Sequence, residues 1–414
     1  MTDNDSKLQN FKSKGLSKTA SELPQSGIRR FFDIASQMKN VISLGVGEPD
    51  FPTPWTVREA AIYSIEKGQT TYTSNLGLIE LRREISKHGK KRYGVEYNPE
   101  TEILVTTGVA QGLDLVARAL LDPGDEVLIP EPCFVSYKPC VALAGGVPVP
   151  IETTSDDNFQ VSVASLEAKV TPRTKAILIG HPSNPTGAAL QRKTLEEIVD
   201  FAKRHGLYII SDEIYDRLTY DGEHVMVASL PNAFERTITL NGFSKTYAMT
   251  GWRIGYACAP PDILHTMMKI HSYTMLSAPT PGQKAALEAM RRGERDAVAM
   301  AAEYKRRRNL IVDGFNAMGL DCPMPGGAFY AFPSIRSTGL TSEQFAEQLL
   351  FGQQVAVVPG NAFGLGGEGH VRCSYATDAS LIKRALERIK VFIDSIPAKS
   401  TGETKVRETT DQLV

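Results

Sequence analysis

The stretch TITLNGFSKTYAMTGWR occupies positions 237–253 and joins a short β-rich run to an unusual lysine. Its first four residues, 237–240, have the β-branched and apolar character of a buried strand. Ser244 and Lys245 lie a few residues after this run, and Arg253 lies further along the same segment. Most lysines are solvated at the protein surface, and that is the alternative interpretation of Lys245.

Lys245 has neighbours that suit an aldehyde cofactor. A lysine that forms a Schiff base needs an amine that is partly unprotonated, which a dry and cationic site provides. Ser244 and Arg253 are good hydrogen-bond donors to a dianionic phosphate. An aldehyde-binding lysine beside a phosphate anchor predicts that the cofactor is pyridoxal 5'-phosphate (PLP).

The middle of the chain alternates short apolar runs with segments of helical length. The predicted strands are 103–106, 127–130, 175–179, 208–210 and 237–240. This alternation predicts an α/β fold with a large, mostly parallel sheet that is covered by helices on both faces. Ligands bind such sheets at the carboxyl ends of the strands, and most of the candidate residues below follow a predicted strand.

The two ends of the chain and its last third differ from this pattern. Residues 1–20 and 396–414 are polar and are predicted to be flexible tails. A long helix over 297–318, a strand through 355–358 and a last helix over 379–393 predict a smaller α+β domain. We expect a large cofactor-binding domain over 55–293 and a small domain formed by 21–54 and 294–395. The basic run 305–308 is interpreted as a solvated helix face.

The composition excludes several classes of function. The 414 residues carry a formal net charge of −1, so no global field attracts nucleic acid or an anionic membrane. No run approaches the ~20 apolar residues that span a bilayer, and the N-terminus lacks the apolar core of a secretory signal. The five cysteines are scattered without a CxxC pair, which predicts reduced, mostly buried thiols, no metal site and a cytoplasmic protein.

Polar residues follow two of the predicted strands. Asp212 follows the run 208–210, and a buried carboxylate there needs a cationic partner such as the pyridinium nitrogen of PLP. Tyr215 and Asn184 are candidate donors to the phenolate oxygen of the same ring. The alternatives are a surface acid at Asp212 and ordinary turn chemistry in the segment 183–187.

Three further residues fit a site of this kind. Gly108 begins a helix after the strand 103–106, where backbone N–H groups and the helix dipole favour a phosphate. Phe134 is a candidate to stack on the pyridine ring, with a core aromatic residue as the alternative. Arg372 lies between apolar residues and fits a carboxylate that it binds through two hydrogen bonds, with a structural salt bridge as the alternative.

Taken in order, these motifs resemble the class I aminotransferases of PLP fold type I. The resemblance covers about residues 20–395 and rests on residues 47–50, Tyr72, Gly108, 184–187, 212–215, 244–245, Arg253 and Arg372. Segments 23–32 and 47–51 look especially like bacterial N-acetyl-diaminopimelate aminotransferases and are similar to archaeal-type aromatic aminotransferases.

The resemblance implies a role for each candidate. Lys245, Asp212 and Tyr215 would be the catalytic residues, with Lys245 forming the Schiff base. The implied cofactor-binding set adds Gly108, Val109, Ala110, Phe134, Asn184, Ser244, Arg253 and, from the neighbouring subunit of a homodimer, Tyr72. The implied substrate-binding set is Gly47, Asn184 and Arg372, with the segment around Ile28 expected to close over the substrate.

The expected reaction is ping-pong transamination from an L-amino acid to 2-oxoglutarate. A lysine that often grips the distal carboxylate in aspartate aminotransferases of this subfamily is replaced here by Ala110, which argues against strict dicarboxylate specificity. Aromatic, aspartate and N-acetyl-diaminopimelate donors all remain open. The alternative is a PLP-dependent lyase of the same fold, because it would share every cofactor residue.

Overall fold

A computed structural model describes residues 15–23, 38 and 40–396 of the chain. The large sheet contains seven strands: Ile103–Thr106 (β2), Glu126–Glu131 (β3), Val147–Glu152 (β4), Thr174–Gly180 (β5), Tyr208–Asp212 (β6), Thr237–Gly242 (β7) and Gly255–Cys258 (β8). Their order is β2-β8-β7-β6-β5-β3-β4. Strand β8 is antiparallel to β2 and β7, and the other neighbouring pairs are parallel. The predicted α/β fold is confirmed.

Nine helices of the described chain precede residue 293. They are Lys18–Glu22 (α1), Trp55–Glu66 (α2), Ile79–Tyr93 (α3), Gly108–Leu120 (α4), Tyr137–Leu143 (α5), Val163–Glu167 (α6), Arg192–His205 (α7), Pro261–Thr274 (α8) and Thr280–Arg292 (α9). Consecutive residues of one strand pack against different helices: Leu128 joins the apolar cluster of α7, whereas Val127 and Ile129 join that of α4. The sheet is therefore covered on both faces, which explains why its strands are almost continuously apolar.

The C-terminal part contains three helices and two small sheets. The helices are Glu294–Ala317 (α10), Ser342–Gln353 (α11) and Ala379–Ser395 (α12). Strand Ile42–Ser43 (β1) pairs in parallel with Val355–Ala356 (β10), and Val371–Ser374 (β12) lies between Val358–Pro359 (β11) and Tyr330–Ala331 (β9). The predicted strand 355–358 is thus divided at Val357 between two sheets.

The basic run in α10 differs from its predicted role as a solvated face. Arg307 and Arg308 are only 5% and 3% exposed. Arg307 donates to Asp50 at 2.8 Å and to Glu303 at 2.7 Å, and Arg308 forms an ion pair with Asp221. Buried arginines need such partners, so the run joins α10 to the segment after β1 and to the loop after β6.

Two predictions drawn from the composition concern membrane-spanning helices and the state of the cysteines. Within residues 15–23, 38 and 40–396, no helix is long and apolar enough to cross a membrane. All five cysteines are unpaired, and four of them are buried, as predicted.

Candidate active site

A cavity of about 300 Å³ lies where β5, β6 and β7 end and α4 begins. Eleven of the predicted site residues line it: Gly47, Val109, Ala110, Phe134, Asn184, Asp212, Tyr215, Ser244, Lys245, Arg253 and Arg372. They come from segments that are more than 300 positions apart in the chain (47 to 372). The fold therefore brings the predicted residues together at the carboxyl ends of the parallel strands.

Lys245 follows β7 and reaches across the cavity. Its Nζ donates to the Gly47 carbonyl oxygen at 2.6 Å. Burial lowers the pKa of the Lys245 ammonium to about 8, and the positive charges of Arg372 and Arg253 act in the same direction, against the carboxylate of Glu48. An amine with this pKa is partly neutral near physiological pH, far more so than an ordinary lysine, and the neutral form is the nucleophile.

Asp212 is the last residue of β6 and is only 7% exposed. The Tyr137 hydroxyl donates to its Oδ2 at 2.8 Å, and the Ile214 N–H donates to its Oδ1 at 3.2 Å. Burial raises the pKa of the Asp212 carboxyl to about 6, although both hydrogen bonds lower it. No cation forms an ion pair with this carboxylate among the residues that the structure describes, so it can accept one from a ligand.

The opposite end of the cavity is built to receive an anion. Gly108 has a left-handed φ of +75°, and a Cβ atom there would lie 2.7 Å from Nη2 of Arg253. Arg253 donates through Nη1 to the Thr250 carbonyl at 2.8 Å. The N–H groups of Val109 and Ala110 lie in the first turn of α4, where they have no partner within the helix. A phosphate would meet donors from the backbone and from a guanidinium.

Two polar residues of the cavity wall, Tyr215 and Asn184, form hydrogen bonds with residues of the small sheet β11-β12-β9. The Tyr215 hydroxyl lies 2.9 Å from the Tyr330 hydroxyl. The Asn184 Oδ1 accepts a hydrogen bond from Nη1 of Arg372 at 2.9 Å, which fixes the amide so that its NH₂ is free to donate elsewhere.

Arg372 lies on β12 and is 3% exposed. Its Nη2 donates to the Gly45 carbonyl at 2.7 Å, and its Nε has no hydrogen-bond partner within the described part of the chain. The guanidinium lies over the rings of Tyr330 and Phe363, with its Cζ 4.6 and 4.8 Å from their centroids. No carboxylate of the described chain pairs with it, which argues against the structural salt bridge. The guanidinium can therefore accept a carboxylate from a ligand as its partner.

Three predicted residues are not among those that line the cavity: Gly108, Tyr72 and Ile28. Gly108 directly precedes the lining residues Val109 and Ala110. Tyr72 is 78% exposed. Ile28 lies outside the described residues, so the proposed closure of its segment stays a prediction.

Two tyrosines, Tyr137 and Tyr330, are among the cavity-lining residues that have no predicted role. Tyr137 is the hydrogen-bond donor to Asp212 and stands edge-on to Phe134, with ring centroids 5.7 Å apart. Tyr330 contacts both Tyr215 and Arg372. From sequence alone, Tyr137 and Tyr330 look like ordinary core aromatic residues. The partner of a tyrosine hydroxyl depends on the fold, so their sequence positions do not indicate these contacts.

Comparison with known proteins identifies the family. The family model described as "Aminotransferase class I and II" matches residues 39–389. The chain belongs to the class I and II aminotransferases. It therefore transfers amino groups between amino acids and oxo acids.

The relatives of this aminotransferase include proteins with different named substrates. An aspartate aminotransferase from Pyrococcus abyssi is 49% identical over 88% of this chain and 95% of its own length. An aromatic-amino-acid aminotransferase from Thermococcus litoralis is 46% identical over the same shares. The crystal structure of an aromatic aminotransferase from Pyrococcus horikoshii has a TM-score of 0.85 and 48% identity, covering 88% of this chain and 98% of its own.

The anion-binding end of the aminotransferase site gives a first prediction. Gly108→Ala should weaken PLP binding by about tenfold or more, because the new methyl group displaces Arg253 and the left-handed backbone costs ~1–2 kcal/mol. Equilibrium titration with PLP measures the effect. Gly94→Ala is the matched control, since Gly94 has a φ of +74° and open space around it. Equal losses in the two variants would contradict a phosphate site at Gly108.

Proposed function

We propose that this protein is a PLP-dependent aminotransferase that moves the amino group of an L-amino acid to 2-oxoglutarate by a ping-pong mechanism. The observation that carries the proposal is the position of Lys245, a partly buried lysine with a lowered pKa, in one cavity with Asp212 and Arg372. The buried Asp212 carboxylate and the two arginines of this cavity, Arg253 and Arg372, match a cofactor with a cationic ring nitrogen and a phosphate, together with a substrate that has a carboxylate.

The residues present fit PLP at each of its polar groups. Asp212, buried without an ion-pair partner in the described chain, suits a protonated ring nitrogen. Gly108, Ser244 and Arg253 suit the phosphate. Tyr215 and the free NH₂ of Asn184 suit the phenolate oxygen. Phe134 is on the cavity wall, where a planar ring needs an aromatic face.

Bound PLP supplies an electron sink for the substrate's α-carbon. Lys245 then has two tasks in the proposal: it attaches the cofactor, and as a free amine it takes the α-proton and returns a proton to the cofactor. Its hydrogen bond to the Gly47 carbonyl holds the amine in the cavity. Asp212 keeps the ring nitrogen protonated, and Tyr137 keeps the Asp212 carboxylate in position.

Arg372 is the proposed anchor of the substrate's α-carboxylate. Two of its nitrogens are held by Asn184 and Gly45, and two aromatic rings hold its plane. A guanidinium fixed in this way binds a carboxylate in one orientation. The α-carbon is thereby presented to Lys245 rather than free to rotate.

The proposal includes two domains. The proposed large domain, 55–293, supplies Lys245, Asp212 and the phosphate site, and the proposed small domain, 21–54 with 294–395, supplies Gly47 and Arg372. The pairing of β1 with β10 supports the assignment of the N-terminal segment to the small domain.

The proposal also includes a cytoplasmic homodimer in which Tyr72 reaches the phosphate of the neighbouring site. Tyr72 is 78% exposed, and the carbonyl of the preceding Thr71 accepts a hydrogen bond from Thr280 at the start of α9. The exposed apolar side chains of α2, and the exposed Tyr273 at the end of α8, support a subunit interface. Five unpaired cysteines support a reducing compartment.

The pKa of Lys245 predicts how the cofactor attaches. The neutral amine is the nucleophile, so the rate at which PLP attaches to cofactor-free protein should rise about tenfold per pH unit below pH 8 and level off above it. An ordinary lysine would continue to gain rate up to about its usual pKa of 10.5. Stopped-flow absorbance measures the rate, and a profile that still rises steeply above pH 9 would contradict the lowered pKa.

Product analysis tests the proposed function. The protein with PLP is incubated with 2-oxoglutarate and, separately, with L-phenylalanine, L-tyrosine, L-aspartate and N-acetyl-LL-diaminopimelate. An aminotransferase forms glutamate and the matching 2-oxo acid in equal amounts. Ammonia formed without glutamate would support the lyase alternative.

A further inference from the structure

Tyr330 is a buried residue of the cavity wall, and the proposed mechanism uses its ring beside Arg372 but gives its hydroxyl no task. It is 1% exposed and lies on β9, which pairs with β12 so that Tyr330 faces Ser374 across the two strands. Of the cavity-lining residues in the described chain, Tyr330 and Arg372 alone come from beyond residue 294. Both stand on one small sheet, on the neighbouring strands β9 and β12.

Tyr330 contacts three parts of the site at once. Its hydroxyl lies 2.9 Å from that of Tyr215, and the Arg372 guanidinium lies over its ring at 4.6 Å from the centroid. The hydroxyl also lies against Gly47, because a Cβ atom added there would be 2.6 Å from it. The Gly47 carbonyl is the one that Lys245 donates to.

The hydrogen bond between the two tyrosines has a direction that the chemistry determines. A phenol has one hydrogen to donate. If Tyr215 donates to the cofactor's phenolate oxygen, Tyr330 has to be the donor between the two tyrosines. Burial raises the pKa of both phenols, so both keep their protons. A hydroxyl that accepts a hydrogen bond becomes a stronger donor, so Tyr330 strengthens the bond from Tyr215 to the cofactor.

We propose that Tyr330 is a positioning residue that polarises the Tyr215 hydroxyl toward the cofactor and holds the Arg372 guanidinium flat for the substrate carboxylate. The inference rests on the proposed function. It assigns separate tasks to two parts of one side chain: the hydroxyl acts on the cofactor through Tyr215, and the ring acts on the substrate through Arg372.

Two substitutions separate these tasks. Tyr330→Phe keeps the ring and removes the hydroxyl; it should lower kcat several-fold and leave KM for the amino donor within about twofold. Tyr330→Leu also removes the ring; it should raise KM by a further five- to tenfold. Tyr256→Phe is the control, because Tyr256 is a buried tyrosine of β8 whose hydroxyl has no hydrogen-bond partner among the described residues. It should change neither constant.

A measurement without turnover tests the same inference. Visible absorbance of the PLP-loaded protein, followed against pH, reports the pKa of the nitrogen that joins Lys245 to the cofactor. A donor to the phenolate oxygen stabilises the deprotonated form of this nitrogen, so Tyr330→Phe should raise that pKa by about half a unit or more. In a Tyr215→Phe background the same substitution should have no further effect, because its path to the cofactor is gone.

The outcomes distinguish this inference from the proposed function. The role of Tyr330 would be overturned if Tyr330→Phe left the absorbance titration unchanged, or if its shift persisted fully in the Tyr215→Phe background. In either case, an active wild-type protein would still uphold the aminotransferase. A wild-type protein that shows no PLP absorbance would instead overturn the proposed function. Both the role of Tyr330 and the proposed function would be supported if Tyr330→Phe binds PLP, raises the pKa seen by absorbance, and has no further effect in the Tyr215→Phe background.

Discussion

Lys245→Ala is expected to lose transamination by about 10⁴-fold or more, the upper range that one general base contributes, because the variant lacks both the attachment point and the proton carrier. PLP should still bind, since Gly108, Arg253 and Asp212 remain. The rate of 2-oxo acid formation measures the loss, and ultrafiltration measures retained PLP.

Two additions make the Lys245→Ala experiment decisive. A small primary amine added to the assay should restore part of the activity, because it replaces the missing base without covalent attachment. Lys193→Ala is the control, since the Lys193 side chain on α7 is 84% exposed and should leave the rate unchanged. Full activity in Lys245→Ala would end the proposal.

Asp212→Asn is expected to lower kcat by about 10²–10³-fold, the effect typical of removing one preorganised electrostatic group from an active site. The amide has the size of the carboxylate but no charge, so it leaves the ring nitrogen without an anionic partner and weakens the electron sink. Because the lost interaction stabilises the reacting state, kcat should fall more than KM rises.

Asp216→Asn is the matched control for Asp212→Asn. Asp216 is also buried, at 5% exposure, and accepts a hydrogen bond from Tyr93, but it does not line the cavity. Asp216→Asn should lower the melting temperature of the protein and leave kcat nearly unchanged. If the two variants lost the same activity, Asp212 would be a structural residue and its pairing with the cofactor would be wrong.

Much of the large sheet could be predicted because a strand that is covered on both faces is apolar almost throughout. The runs at β2, β3, β5, β6 and β7 were each recognised in this way. Strands β4 and β8 were not. Strand β4 contains Pro148 and Pro150, which argue against a strand in a sheet interior but are tolerated at the edge that β4 forms. Strand β8 has four residues and follows the turn at Arg253, so no periodicity marks it.

The candidate site was predictable where one residue type has a specific chemical task, as at Lys245, Asp212 and Arg372. Residues whose task is to position another residue escaped prediction. Tyr137 and Tyr330 look like ordinary core aromatics until the fold places their hydroxyls beside Asp212 and Tyr215. The same reason explains α10: Arg307 and Arg308 looked solvated because their partners Asp50 and Asp221 are distant in sequence.

The central claim is that Lys245 and its neighbours form a PLP-dependent amino-transfer site. Its most direct test follows the absorbance of purified, PLP-loaded protein when a single amino acid is added without any oxo acid. The account predicts that the lysine-bound cofactor converts to its aminated form, with one equivalent of 2-oxo acid released per site, and that 2-oxoglutarate reverses the change. A cofactor band that phenylalanine, tyrosine, aspartate, glutamate and N-acetyl-LL-diaminopimelate all leave unchanged, or the release of ammonia instead of an oxo acid, would contradict it.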